Sequence, residues 1–230
     1  MATPPQFLWL STENRALIRG IIEEHLPQWR NGPKSSQVEC WAHILQKIPL
    51  LLIASTGWEK TAAFFGPLLV LQELLRNPRP GIPNPPKKPV GLVVTPLIEL
   101  RNNHAREIME IGMKAISLNS ETLAEASREG RNLYDEIRAC EWPIVLLSAE
   151  RLVSKELDKI IRDSFFRTNL VLLGIDEAHV LVPWEKDFRQ AYLQIGLLRK
   201  CLPSHVAIVA VTATLTPGPA YNSLCTELGF

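Results

Sequence analysis

The sequence predicts an α/β fold with a mainly parallel central sheet and helices on both faces. Short apolar runs recur along the chain, helix-like segments separate them, and hydrophobic residues make up 46% of the 230 residues. This composition is typical of a folded globular protein. Six runs are predicted as strands: 50–54, 90–94, 115–118, 144–147, 170–175 and 206–211.

The first 33 residues are interpreted as a separate helical extension, with residues 34–230 as the main domain. Ser11 or Thr12 can cap a helix that Pro27 ends. One face of that helix is apolar, as the spacing of four residues indicates: Ile18, Ile21, Ile22 and Leu26.

The first predicted strand, 50–54, is continuously apolar, which predicts that it is covered on both faces. Helices are predicted at 61–76, 98–113 and 122–138. Residues 78–89 hold six of the 18 prolines and predict an exposed loop. This loop is either an inert insertion or a docking site for a proline-binding partner.

Charge and cysteine spacing exclude several classes of protein. The chain has 25 lysine and arginine residues and 24 acidic residues. It therefore lacks the strong positive charge that indicates unassisted nucleic-acid binding. The four cysteines lack zinc-site spacing and are expected to be buried free thiols: Cys40, Cys140, Cys201 and Cys225. No apolar run reaches the roughly 18 residues of a membrane span, and no signal-type core is present. We therefore expect an intracellular protein with no zinc and no membrane partner.

A turn, a lysine, a threonine and a helix follow the first strand. The segment is Ser55-Thr56-Gly57-Trp58-Glu59-Lys60-Thr61. Backbone amides at such a helix start can cradle phosphate oxygens, the lysine reaches the β and γ phosphates, and the threonine hydroxyl binds Mg²⁺. The pattern predicts a site for ATP and Mg²⁺.

An acidic pair follows the fifth strand, at Asp176 and Glu177. In a phosphate-loop enzyme the aspartate holds Mg²⁺ and the glutamate accepts a proton from the attacking water. We therefore predict Lys60, Asp176 and Glu177 as the catalytic residues.

Small hydroxyl residues follow the last strand, in Thr212-Ala213-Thr214. Their side chains can hydrogen-bond to the acidic turn on a neighbouring strand. Such bonds would relay the nucleotide state to a nucleic-acid surface.

These three segments, in this order, resemble the first RecA-like lobe of superfamily 2 helicases, and among them the RecQ family of DNA helicases. The resemblance covers residues 34–230. It implies a three-layer RecA-like fold and 3′ to 5′ unwinding of DNA coupled to ATP hydrolysis. It also implies functions in DNA recombination and repair, and a nuclear location.

The resemblance assigns further roles within the chain. Gln37 would bind the adenine, and Thr95 and Pro96 would contact the DNA backbone. His179 and the segment 212–214 would couple the nucleotide to DNA.

An aromatic segment after the acidic pair resembles the loop by which RecQ helicases sense single-stranded DNA. Trp184 and Phe188 offer faces for base stacking, worth about 1–3 kcal/mol per base, and Arg189 adds positive charge. The alternative is that both aromatic residues anchor the following helix. The loop favours RecQ-type over general RNA helicases, and single-stranded or partly duplex DNA as the partner.

Glu59 departs from the family, which has glycine at this position. A carboxylate about 5 Å from one phosphate charge costs roughly 3 kcal/mol at an effective dielectric of about 20. A left-handed backbone there would add about 1–2 kcal/mol. The electrostatic part becomes small if the side chain turns to solvent.

Three functions stay open on these observations. The first is the first motor lobe of a RecQ-type helicase, whose second lobe, with the arginine needed for hydrolysis, comes from a longer chain or a partner. The second is a catalytically inactive, helicase-derived DNA-binding module, favoured by Glu59 and the absence of that lobe. The third is a nucleotide-sensing interaction protein that uses the proline-rich loop.

Overall fold

The computed structural model describes residues 7–55, 57–181, 195, 199, 201–216, 218–228 and 230. Its sheet has six strands in this part of the chain: β1 (Leu50–Ile53), β2 (Val90–Val94), β3 (Ala115–Ser117), β4 (Ile144–Leu147), β5 (Leu170–Ile175) and β6 (Ala207–Thr212). Their order is β1-β6-β5-β2-β4-β3, and every pairing is parallel. The predicted parallel sheet is confirmed.

Nine α-helices lie between Thr12 and Asn169: α1 (Thr12–His25), α2 (Ser35–Leu45), α3 (Ala62–Arg76), α4 (Ile98–Glu110), α5 (Ser120–Arg128), α6 (Leu133–Arg138), α7 (Ala149–Leu152), α8 (Lys155–Arg162) and α9 (Ser164–Asn169). A 3₁₀ helix covers Ala178–Leu181, and a further helix covers Pro219–Leu228. Among the described residues, no helix combines the length and apolar character needed to cross a membrane.

Two hydrophobic cores lie on opposite faces of the sheet. Successive strand residues alternate between them, so Val93 and Leu172 join one core while Leu92 and Leu173 join the other. Buried side chains of α1, α2 and α3 complete the first core, and those of α6, α8 and α9 complete the second. The expected three layers, with helices on both faces, are therefore present.

Helix α1 forms as its apolar spacing predicts. Ser11 is its cap, since its hydroxyl accepts a 3.2 Å hydrogen bond from the Asn14 amide. The four apolar residues of its inner face are buried in the same core as Trp41 of α2. An ion pair between Arg15 and Glu39 also joins α1 to α2. The division at residue 33 remains a prediction.

Two expectations about local structure are wrong. Residues 122–138 form two helices rather than one, because Gly130 takes a left-handed φ of 71° and Asn132 caps a new helix through the amides of Tyr134 and Asp135. Strand β1 is covered on both faces only in part: Leu50 and Leu52 pack against one core and Leu51 against the other, but all three are half-buried. It lies at the sheet edge, where Ile53 is 45% exposed.

The cysteines and the proline-rich segment give a mixed outcome. Cys40 and Cys140 are buried as expected, and burial raises the pKa of the Cys40 thiol to about 12 and that of Cys140 to about 11. Cys201 is exposed and Cys225 is half-buried, which corrects the expectation of four buried thiols. Residues 78–89 form the predicted loop, and most of them are exposed.

Candidate functional site

The order of the strands brings three predicted segments together at the carboxyl ends of the strands. Strand β6 lies between β1 and β5, with Ile53 opposite Thr212 and Ile175 opposite Ala210. The Ala54 amide continues this pairing with a 2.9 Å hydrogen bond to the carbonyl oxygen of Thr212. The carboxyl ends of these strands therefore present residues 55–61, 176–179 and 212–214 side by side, where ligands bind in open parallel sheets.

The segment after β1 turns sharply before α3 begins. Gly57 has a φ of 84° and Glu59 a φ of 60°, so two residues take left-handed conformations within three positions. Ser55 is exposed, whereas Trp58 is buried and donates a 2.9 Å indole hydrogen bond to the Ser36 hydroxyl. Thr56 lies outside the described residues. The predicted order of turn, lysine, threonine and helix is present.

Side-chain donors bind the carbonyl oxygens of this turn. The Lys60 ammonium donates to Ala54 O at 3.4 Å, and Lys34 donates to Gly57 O. Gln37 is 1% exposed; its amide donates to Trp58 O at 2.9 Å and its side-chain oxygen accepts from the Lys34 amide at 2.8 Å. In this structure Gln37 holds the turn, and its role toward adenine remains a prediction.

Glu59 combines a backbone conformation that favours glycine with an exposed side chain. Its carboxylate oxygen Oε2 lies 3.4 Å from the side-chain nitrogen of Gln37. The left-handed φ carries the expected cost of about 1–2 kcal/mol for a residue with a Cβ. Exposure to solvent weakens the repulsion that its charge exerts on a phosphate.

Asp176 is buried, and both of its carboxylate oxygens are hydrogen-bonded. Oδ1 accepts from the Glu177 amide at 2.9 Å, and Oδ2 lies 3.0 Å from Nε2 of His104 in α4. The other ring nitrogen of His104 lies 2.9 Å from the Thr61 hydroxyl and 3.3 Å from Glu107 Oε2. One imidazole therefore joins the two residues predicted to hold Mg²⁺.

Opposing influences act on the charge of this ring. Burial lowers the pKa of His104, but the hydrogen bond and negative charge of Asp176, with those of Glu107, raise it above its ordinary value. A protonated imidazole donates from both nitrogens, which suits a ring placed between two carboxylates.

Sequence reasoning did not identify His104 or Glu107. His104 lies three residues after Arg101 and four before Ile108, which are both buried, so it falls on the inner face of α4. Helix α4 follows β2, the neighbour of β5. A histidine on the inner face of that helix could have been predicted to lie near the acidic turn that follows β5.

The acidic turn also contacts the end of β6. Glu177 has a φ of 49°, and its Oε2 lies 3.1 Å from His179 Nδ1. The same nitrogen lies 3.0 Å from the hydroxyl of Thr212, which is fully buried and accepts a 3.4 Å bond from the Thr214 amide. Ala213 between them is half-buried. The hydrogen bond expected between the last strand and the acidic turn is present, while its coupling role remains a prediction.

The residues predicted to bind DNA are only partly described. Thr95 is fully buried, and its hydroxyl has no hydrogen-bond partner within the described residues. Pro96 is half-buried, and the exposed side chains that follow are Leu97 at 65% and Ile98 at 54%. Trp184, Phe188 and Arg189 lie outside the described residues, so their roles remain predictions.

Comparison with known sequences identifies the family. The sequence model of the DEAD/DEAH box helicases matches residues 34–221. The ATP-dependent DNA helicase RecQ of Bacillus subtilis is 29% identical over 140 residues, which are 60% of this chain and 22% of that protein. The ATP-dependent DNA helicase Q5 of Rattus norvegicus is 30% identical over 130 residues, 56% of this chain and 13% of that protein. The aligned regions thus span less than a quarter of these relatives.

Comparison with solved structures identifies the fold. The DEAD-box helicase Mss116 bound to ssRNA and UDP-BeF aligns with a TM-score of 0.66 and 19% identity, over 97% of this chain and 44% of that one. The DUF1998 helicase MrfA bound to DNA and AMPPNP aligns with a TM-score of 0.65 and 16% identity, over 90% and 27%. The RecA-like fold and the resemblance to RecQ helicases are both confirmed. The chain belongs to the DEAD/DEAH box helicase family, and RecQ-type DNA helicases are among its relatives.

Proposed function

We propose that this chain is the first motor lobe of an ATP-dependent DNA helicase of RecQ type, binding Mg·ATP and single-stranded DNA. The observation that carries the proposal is that two segments meet at the carboxyl ends of the strands. The segment after β1 carries Lys60 and Thr61, and the segment after β5 carries Asp176 and Glu177. The named relatives are ATP-dependent DNA helicases, which supports the choice of DNA.

The residues present fit Mg·ATP in their chemistry. A hydroxyl and a carboxylate are the oxygen ligands that Mg²⁺ prefers, and they come from Thr61 and Asp176. Bound Mg²⁺ would neutralise charge on the β and γ phosphates. Within the described residues the Lys60 ammonium makes one long bond, of 3.4 Å to Ala54 O, so its transfer to a phosphate oxygen gives up little.

Glu177 supplies the proton acceptor in this proposal. Its carboxylate is partly exposed and lies beside His179, while its amide bonds to Asp176. With Mg·ATP bound, Glu177 would orient a water molecule and accept its proton during attack on the nucleotide. Hydrolysis and 3′ to 5′ unwinding would further require an arginine from a second lobe, in a longer chain or a partner. By family, the process served would be DNA recombination or repair in a nucleus.

Glu59 keeps a second candidate open, an inactive DNA-binding module. Its left-handed backbone imposes a cost on the phosphate loop that glycine avoids. This candidate predicts binding of single-stranded DNA that weakens with salt and ignores ATP.

The two candidates are separated by titrating Mg·ATP calorimetrically into the native chain, Lys60→Ala and Lys47→Ala. Lys47 follows α2 and lies just before β1, at the opposite end of that strand from Lys60. The motor-lobe proposal expects binding by the native chain and Lys47→Ala, and a loss of at least about tenfold in Lys60→Ala. Absence of Mg·ATP binding by the native chain, with retained DNA binding, would favour the inactive module.

A further inference from the structure

The His104 side chain lies between Thr61 and Asp176, the two residues assigned to the metal. Its Nδ1 lies 2.9 Å from the Thr61 hydroxyl, and its Nε2 lies 3.0 Å from Asp176 Oδ2. The two nitrogens lie on different sides of the ring, so the imidazole separates the two oxygens. It closes the space between phosphate loop and acidic turn with a side chain from a third element, α4.

This arrangement is incompatible with a divalent cation bound between the same oxygens. Mg²⁺ takes ligand oxygens at about 2.0–2.1 Å in near-octahedral geometry, and much of its shell is water or phosphate. A ring in hydrogen-bond contact with both oxygens leaves no room there for the ion and its shell. The chemistry of the two ligands fits Mg²⁺, but the side chain between them has to leave first.

We propose that the His104 side chain competes with the divalent cation for Thr61 and Asp176, and holds the site closed until the cation displaces it. This inference rests on the proposed function, because it assigns the metal to the site of that function. It adds a residue that acts against metal binding.

Burial of Asp176 explains why the competition would exist. The side chain of Asp176 is 4% exposed, and a buried carboxylate without a charged or hydrogen-bonding partner is costly. His104 supplies that partner in the structure as it stands. A divalent cation would supply the same compensation, so one partner can replace the other.

Glu107 gives the displaced ring an alternative partner. It lies three residues along α4, its side chain is 59% exposed, and its Oε2 lies 3.3 Å from His104 Nδ1 and accepts a 3.2 Å hydrogen bond from the Thr61 hydroxyl. The imidazole can therefore leave Asp176 without losing its contact with a carboxylate. The release needs a side-chain rotation rather than unfolding of α4.

The test measures Mn²⁺ binding by electron paramagnetic resonance, without nucleotide, on the native chain and His104→Ala. If His104 competes with the ion, removing it tightens Mn²⁺ binding by about tenfold or more, which is about 1.4 kcal/mol. Equal binding would overturn the proposal. Weaker binding would also overturn it, because it would make His104 a metal ligand.

A matched control is His25→Ala. His25 Nε2 lies 3.1 Å from the buried carboxylate of Glu73, so this variant also removes an imidazole from a buried acid, but away from the site. Its Mn²⁺ affinity should equal that of the native chain. Adding Asp176→Asn to His104→Ala should abolish the gain, because the ion then lacks the buried carboxylate for which His104 competes.

His104→Gln guards against a variant that does not fold. Glutamine can still donate from its amide to Asp176, but it lacks the rigid ring that fills the space between Thr61 and Asp176, so it should also tighten Mn²⁺ binding, though less than alanine. If His104→Ala is unfolded by circular dichroism, unchanged or weaker Mn²⁺ binding in a folded His104→Gln overturns the proposal.

Mg·ATP titrations of the same variants separate this inference from the proposed function. If the native chain binds Mg·ATP, and Mn²⁺ binds the native chain and His104→Ala equally well, the proposed function stands and the competition is overturned. If the native chain does not bind Mg·ATP while His104→Ala binds Mn²⁺ more tightly, the motor-lobe proposal fails and the competition stands.

Discussion

Trp41 of α2 lies in the space that a side chain at Gly66 of α3 would occupy. A Cβ built on Gly66 would come within 2.4 Å of the indole ring, which is fully buried. The indole nitrogen also donates a 2.7 Å hydrogen bond to Ala62 O, one turn earlier in α3. This contact sets how closely α2, which carries Gln37, approaches the helix that follows the phosphate loop.

We therefore expect Gly66→Ala to lower the free energy of unfolding by about 1–3 kcal/mol, the usual cost of overpacking a core. Alanine has the better helix propensity by about 1 kcal/mol, which partly offsets the clash. Urea denaturation measures the difference. Gly20→Ala in α1 is the control, because a Cβ there meets nothing within 4 Å and the variant should gain stability. Stabilisation by Gly66→Ala as well would contradict the proposed clash.

Substitutions at Glu59 separate backbone strain from charge. Glu59→Gln removes the charge but keeps a Cβ at a φ of 60°, whereas Glu59→Gly removes both. Because the left-handed φ is already present without nucleotide, its cost of about 1–2 kcal/mol falls on folding, so Glu59→Gly should be more stable than Glu59→Gln in urea denaturation. Because the side chain is exposed, its charge is screened, and both variants should gain less than about threefold in Mg·ATP affinity. Calorimetric titration checks this. Equal large gains in both variants would show that the charge dominates.

Much of the site could be predicted from where the strands end in the sequence. Asp176 and Lys60 come just after apolar runs, and parallel strands align their carboxyl ends, so the pattern already places both residues at one edge. Strand ends alone do not identify His104, and its place on the inner face of α4 does not say which residues it meets. Its position depends on how α4 packs across the end of the sheet, and periodicity does not encode that packing.

Local errors have similar physical origins. The apolar residues of 50–54 match a strand covered on both faces, but β1 is the end strand of the described sheet, so its side chains are only partly covered and Ile53 is exposed. In residues 122–138, helical periodicity hides the break at Gly130, where a left-handed residue and the Asn132 cap end one helix and start another. A glycine that ends one helix and an asparagine that caps the next therefore decide the local structure, although the apolar spacing is helical throughout.

The cysteines should react with iodoacetamide in a strict order. The thiolate is the reactive form, and burial raises the pKa of Cys40 to about 12 and that of Cys140 to about 11, so both should label slowly at pH 8. Cys201 is exposed and should label first. Peptide mass spectrometry after timed labelling measures each rate, and labelling in urea should remove the differences. Native labelling of Cys40 as fast as Cys201 would exclude the buried position.

The same shift predicts a loss of stability at high pH. The Cys40 thiol ionises near its ordinary value of 9.0 in the unfolded chain but only at about 12 in the folded one. Above pH 9 the unfolded state therefore binds fewer protons than the folded state, and the free energy of unfolding falls as pH rises. Cys40→Ala should flatten this decline between pH 9 and 10.5 in urea denaturation. An unchanged slope would assign the decline to other groups.

Thr212 offers the most direct test of coupling between nucleotide and DNA. Its buried hydroxyl lies 3.0 Å from His179 Nδ1 and links the end of β6 to the acidic turn. Valine keeps the branched shape of threonine but removes this bond and the 3.4 Å bond from the Thr214 amide. We expect Thr212→Val to bind Mg·AMPPNP within about threefold of the native chain, since a neutral hydrogen bond contributes only about 0.5–1.5 kcal/mol. The nucleotide-dependent change in single-stranded DNA affinity should disappear.

Fluorescence anisotropy of a labelled oligonucleotide, with and without Mg·AMPPNP, measures that change. Thr168→Val is the matched control. Within the described part of the chain its hydroxyl bonds only to its own helix α9, to Ser164 O at 2.6 Å and Phe165 O at 3.1 Å, and it comes just before β5, at the opposite end of that strand from Asp176. This control should keep the native response to nucleotide. Because His179 is partly exposed, water can satisfy its ring when the Thr212 hydroxyl is gone, so lost coupling would not be a consequence of misfolding. A retained response in Thr212→Val would show that the bond is structural and that the signal reaches the DNA by another route.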